Sequence, residues 1–186
     1  DMMISGTGAM YENRVRAGMS VPPVTGESSL MYFIDRLEKA HAAPFDEHIL
    51  LVHECCMTEE GTEAVKKVMN HPYVALCPCS NIFIHNAVPP VEMIRRSGIK
   101  ITVGTDSLSS NDDLDMVREL FCLQENFPQI PLGEMIFWAT ANGADFLGKG
   151  DVYGKMLPGM KPGLVFIDHL SENGYLTTAS VSQRII

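Results

Sequence analysis

The sequence predicts an α/β fold, and three observations carry that reading. Short apolar runs alternate with stretches of helical period, the alternation occurs three times in succession, and no period-two polar face recurs along the runs. Such runs are strands buried on both faces, as a parallel sheet covered by helices requires.

The elements follow in order. Residues 1–29 carry Gly6, Gly8, Gly18, Pro22, Pro23 and Gly26 and read as loop, with one short helical stretch near residues 9–17. Over residues 28–42, Leu30, Phe33, Ile34, Leu37 and Ala40 recur at helical spacing, with Ser28 or Ser29 as the cap. Residues 49–53 form the first strand. Residues 58–70 form its helix, with Thr58 as N-cap and acidic residues in the first turn. Residues 73–77 are the second strand, followed by a loop and a helix over 90–97 that Pro90 opens and Gly98 closes. The third strand covers 99–104 and its helix 113–126. A further helix covers 132–147, the turn 158–163 leads into a strand over 164–167, and 175–186 supply one more extended piece.

With 186 residues, 46% of them hydrophobic and 20% charged, the chain can bury the core of one domain, or of one domain with an appendage. Fourteen basic residues stand against 23 acidic ones, for a net charge of −9, and no basic cluster exceeds a pair such as Lys66-Lys67 or Arg95-Arg96. That balance argues against nucleic acid as a partner, because phosphate neutralisation needs a basic face. No apolar run reaches the roughly 18 to 20 residues that a bilayer-spanning helix needs. The first residues lack a basic segment followed by a long apolar one, so no signal peptide is expected, and position 1 is Asp rather than an initiator Met. Five cysteines among apolar neighbours suit a reducing compartment, which makes the cytoplasm the expected location.

In parallel α/β folds the working residues gather at the C-terminal ends of strands. Here those ends are His53-Glu54, then Cys77-Pro78-Cys79-Ser80-Asn81, then Gly104-Thr105-Asp106-Ser107. A metal-activated water needs imidazole or carboxylate ligands and a nearby base, and His53 with Asp106 offers one of each type. A lone His at a strand end is more often structural. Asp106, at the end of an apolar strand, must find a charge partner or stay exposed. The carboxylates of 112–115 and Glu119 read as a helix N-terminus, where negative charge is favoured. His41, His48, His71 and His169 read as surface residues, while His85, in the loop after the second strand, is placed for substrate contact. A rival reading pairs Cys55-Cys56 with Cys77 and Cys79 in a thiolate zinc site. Adjacent cysteines and Cys-Pro-Cys depart from the usual spacing of such sites, and burial as small apolar residues is the better account.

Taken in order, Leu51-Val52-His53, Leu76-Cys77-Pro78-Cys79-Ser80-Asn81, Val103-Gly104-Thr105-Asp106-Ser107 with Ser110-Asn111 and Leu114-Asp115-Met116, then residues 139–144 and the turn 157–163, resemble the amidohydrolase superfamily. The branch they resemble holds cytosine, guanine and adenosyl-homocysteine or methylthioadenosine deaminases and the chlorohydrolases. The resemblance implies a (β/α)8 TIM-like barrel of which these strands are the sixth to eighth, with residues 1–150 in the barrel and 151–186 in a small β-sandwich. It implies one divalent metal, zinc in most members, with Asp106 as a ligand and acceptor of the water's proton, and His53 as the residue that orients water or polarises substrate. Asn81, His85, Ser107 and Asn111 would line the pocket.

The departures from the family pattern are as informative. The sequence contains no His-x-His and begins past the expected fifth-strand His and its companion Glu, so three of four metal ligands are absent from it. Cys79 stands where Thr is commoner, and Pro162-Gly163-Leu164 where an Ala-Asp pair is frequent. The expectation is a metal-dependent deaminase of a small N-heterocycle whose fragment is inactive alone, acting without nucleic acid or membrane and compatible with a homo-oligomer. The alternative is a non-catalytic half-barrel that binds or assembles with another chain.

Overall fold

The structure, a computed structural model, describes residues 2–186. Contacts gather the chain into two units, the residues up to Glu47 with Thr58–His71, and His48–Met57 with Pro72–Ile186.

In the first unit the Gly/Pro-rich opening holds two short helices, α1 (Met2–Ser5) and α2 (Ala9–Arg16), neither with a buried residue. The helix α3 (Ser29–Lys39) begins where Ser28 Oγ accepts from Met31 N at 3.2 Å, the capping bond expected of that residue. The strand β1 (Phe45–Val52), whose residues from His48 onward belong to the second unit, starts four residues before the apolar run that announces it. Thr58 caps α4 (Glu59–Val68) through Gly61 N at 3.0 Å, and the Lys67–Glu38 ion pair at 2.9 Å bridges α4 to α3. Ile34, Val65, Val68 and Met69 are its buried apolar residues.

The second strand, β2 (Met69–Leu76), follows α4 without a loop. Its register with β3 (Lys100–Val103) is parallel, Tyr73↔Lys100 to Leu76↔Val103, and the sheet runs β1-β2-β3. Between β2 and β3 the chain differs from expectation. The segment read as a loop carrying His85 is a helix, α5 (Pro78–His85), with Pro78 in its first turn. The expected helix follows as α6 (Val91–Ser97), closed by Gly98 at φ 80. Asp115 caps α7 (Met116–Asn126) through Val117 N at 2.8 Å.

The single helix expected over 132–147 is three pieces, α8 (Leu132–Phe137), a π-helical turn (Trp138–Asn142) and α9 (Gly143–Phe146). Gly154, at φ +85, lies against that turn: a Cβ there would sit 2.8 Å from Ala141 Cα and 2.9 Å from Thr140 O, so only glycine fits. Asn142 Nδ2 donates to Ile101 O at 2.7 Å and ties the same turn to β3. The chain ends in an antiparallel pair, β4 (Val165–Asp168) with β5 (Val181–Arg184).

The core of this unit is Tyr73, Val74 and Leu76 of β2, Ile101 of β3, and the faces of α6, α7 and α8 marked by Ile94, Leu123 and Met135, all but fully buried. At roughly 25 cal/mol per Å² of apolar area, each such side chain contributes on the order of 2 kcal/mol. Where the pairing of β2 with β3 begins, Tyr73 Oη donates to Asp145 at 2.7 Å while Lys100 reaches both. That polar cluster braces the end of the sheet away from the strand-end loops.

Candidate active site

Main-chain bonds carry the sheet one residue past its strands, His53 N to Ala75 O at 3.0 Å and Gly104 N to Leu76 O at 2.9 Å. The chain then turns sharply. His53 (φ 74), Glu54 (φ 50) and Asp106 (φ 57) all hold left-handed backbone, which costs a non-glycine residue about 1 kcal/mol or more. Strain of this kind persists where the surroundings enforce it, and it gathers at working sites.

The surroundings here are specific. Asn81, 1% exposed in the first turns of α5, faces His53 Nδ1 with its Oδ1 at 2.9 Å. With the carboxamide oxygen against it, Nδ1 donates, and Nε2 is left to face the Asp106 side. Asn81 Nδ2 is buried with no partner, which marks the carboxamide as serving His53 rather than a network of its own. On the other side Ser80 Oγ and Ser110 Oγ each donate to Asp106 Oδ2 at 2.7 Å. Those two hydroxyls, Ser110 first, outweigh desolvation and hold the Asp106 carboxyl below its ordinary range, with His53 adding to the same direction. His53 Nε2 lies 3.8 Å from Asp106 Oδ2, too far for a hydrogen bond and close enough for one small group to meet both. Side-chain exposures of 39% and 29% leave the pair open to a solute.

The four predicted pocket residues part company. Asn81 touches His53, so whatever it offers a ligand passes through that ring. Asn111 donates from Nδ2 to Thr105 O at 2.8 Å and to Glu119 Oε1 at 2.6 Å, inside the loop that presents Asp106. Ser107 is exposed, paired with Ser109 Oγ at 2.6 Å. His85 is the exposed last residue of α5, one turn beyond Asn81, and no hydrogen bond joins it to His53 or Asp106. Three residues that sequence reasoning passed over belong to the site: Ser80, Ser110 and Glu119. The signal for the two serines was present, since both stand in the quoted strand-end motifs.

The residues fit one corner of a metal site. Both serines converge on Asp106 Oδ2, and among the described residues no side-chain donor engages Oδ1, which leaves that oxygen for a cation. Among the described residues, however, no three of His, Cys, Asp and Glu lie where they could share an ion. The thiolate alternative gains nothing: burial pushes the Cys77 thiol up to about 12, and the Cys55 and Cys79 thiols are raised as well, Cys55 by burial and Cys79 first by its hydrogen bond with Cys122. A cavity of about 470 Å³ between α7, the π-helical turn and β4 is lined by neither His53 nor Asp106.

Glu54 adds a pH dependence. Burial raises its carboxyl to about 7 from 4.5, so between those values the folded chain holds a proton that the unfolded chain releases. Stability is therefore greatest below about pH 4.5 for this group and falls as pH rises through about 7. Urea unfolding of Glu54→Gln should lack that decline while the natural protein shows it; parallel curves for the two would refute the assignment.

Comparison with known proteins identifies the family. The amidohydrolase family model matches residues 24–184, and the chain belongs to that family. It is 32% identical over 130 residues to a 5-methylthioadenosine/S-adenosylhomocysteine deaminase of Desulfitobacterium hafniense, covering 67% of this chain and 30% of that protein. Its fold matches an aminofutalosine deaminase of Helicobacter pylori, solved with methylthio-coformycin, at TM-score 0.67 and 21% identity over 87% of this chain and 38% of the other. It also matches an adenosine deaminase of Xanthomonas campestris with bound Zn at TM-score 0.62 and 22% identity, over 88% and 36%. The chain thus spans about a third of the length of the relatives it matches. The family is metal-dependent, and among the described residues no helix is long and apolar enough to cross a membrane.

Proposed function

We propose that this chain is the C-terminal part of a hydrolytic deaminase that acts on an adenosine-type nucleoside or a related N-heterocycle. The observation that carries the reading is the pair His53 and Asp106, each in strained backbone at a strand end and each braced by its own buried partner. The β1, β2 and β3 strands would be the sixth to eighth of a TIM-like barrel, and β4 with β5 a piece of the accessory sandwich. The location stays the cytoplasm, where five free thiols are stable.

Asp106 would hold a divalent metal, zinc as in the Xanthomonas neighbour, through Oδ1, with the remaining ligands outside the described residues. When bound, the metal would supply activation of a water at neutral pH. Asp106, kept ionised by the two serines, accepts the proton of the attacking water and passes it toward the departing nitrogen. His53, with Nδ1–H held by Asn81, presents Nε2 to the water and to the charge that develops on the ring. Ammonia leaves.

Assay of the complete protein, purified with zinc, tests the reading. Ammonia release from 5-methylthioadenosine, S-adenosylhomocysteine, adenosine and 5′-deoxyadenosine is expected to exceed that from cytosine, guanine and chlorotriazines. Zinc-loaded protein that releases ammonia from none of them would favour a binding or assembly module instead.

A further inference from the structure

Glu119 has no part in that chemistry, yet it is the most deeply buried carboxylate the structure describes, 1% exposed in the first turn of α7. Its two oxygens are used separately. Oε2 accepts from Cys79 N at 3.0 Å, at the start of α5, and Oε1 accepts from Asn111 Nδ2 at 2.6 Å. Asn111 passes the tie on, since the same Nδ2 donates to Thr105 O at 2.8 Å. Cys79 immediately precedes Ser80, which bonds Asp106, and Thr105 immediately precedes Asp106 itself. Both partners of Glu119 are pure donors, so the bridge calls for an acceptor at each oxygen. A carboxylate provides that and a carboxamide does not. Burial pushes the group's pKa upward while the Cys79 and Asn111 bonds pull the other way, so the charge is tolerated only through these donors and the α5 N-terminus beside them.

We infer that Glu119 is a positioning residue: with Asn111 it clamps the start of α5 to the loop after β3, and so sets the position of Asp106 against the metal and His53. The inference rests on the active-site reading above and deepens it. It also reassigns Asn111 from lining the pocket to holding the loop that carries the metal ligand. A clamp of this kind acts on the transition state and the metal rather than on substrate binding, so it should change kcat and zinc affinity and leave KM alone.

The test compares Glu119→Gln, Asn111→Ala, Asp106→Ala and Tyr73→Phe in the complete zinc protein, with 5-methylthioadenosine as substrate and chelator competition for zinc affinity. Glu119→Gln and Asn111→Ala should each lower kcat and zinc affinity by about 10- to 100-fold, with KM within about threefold of the natural protein. Tyr73→Phe, which touches Lys100 and Asp145 rather than the site, should lower only Tm. If Glu119→Gln and Asn111→Ala also lower only Tm, Glu119 is structural and the inference is overturned. A raised KM at unchanged kcat in Asn111→Ala would overturn it too, by putting Asn111 on the substrate. Should Glu119→Gln fail to fold, Asn111→Ala decides by the same two outcomes. An inactive Asp106→Ala beside a normal Glu119→Gln removes only this inference, whereas an active Asp106→Ala removes the active-site reading and the inference with it.

Discussion

Asp106→Ala is expected to lower kcat/KM of the complete zinc-loaded protein by at least about 10³-fold. A general base alone is worth roughly 10² to 10⁴ in rate, and here a metal ligand goes with it. Two losses coincide because one carboxylate does two jobs: Oδ1 is open to a cation, while Oδ2, fixed by Ser80 and Ser110, stays ionised to receive a proton. The substitution should lower bound zinc as well as rate, which metal analysis of the purified variant reads directly. Asp106→Asn, which keeps the shape and removes the charge, should retain more zinc than Ala but no more than traces of activity. Full zinc occupancy and full activity in both variants would remove Asp106 from the site.

His53→Asn is expected to lower kcat by about 10² to 10³-fold, the range for removing a group that stabilises developing charge. Asn keeps a donor where Nδ1 stands, so Asn81 retains its partner and the substitution isolates the loss of Nε2. Zinc content should stay near that of the natural protein and KM should move little, because Nε2 meets the transition state. The same variant stripped of zinc would show His53 to be a ligand instead and would overturn the role given to it here.

Much of this was legible before any coordinates. The alternation of apolar runs and helical stretches located three strands; burial on both faces accounts for the mark at the C-terminal half of β2 and in β3, while β1 keeps only Leu51 buried. Ser28, Thr58 and Gly98 act as the caps their chemistry suggests. The candidate pair His53 and Asp106 followed from strand ends, and family likeness made it specific. The helix α5 was missed for a physical reason. Ile82, Phe83 and Ile84 are all exposed, so no apolar stripe sets a period of 3.6, and the one signal left was Pro78 in the first turn. The break at the π-helical turn was equally silent, since the close approach of Gly154 to that turn is made by a segment outside the helix.

By itself the sequence determined the class of fold, the strand ends at which chemistry could sit, and the two residue types that could perform it, because burial period and residue chemistry are local properties. Only the tertiary structure decided which polar residues serve which. Glu119 looks in sequence like one more carboxylate at a helix start, and Ser80 and Ser110 like loop residues 30 positions apart in the chain. Their roles come from hydrogen bonds between segments distant in sequence, whose partners are fixed only when the sheet brings the loops after β2 and β3 side by side.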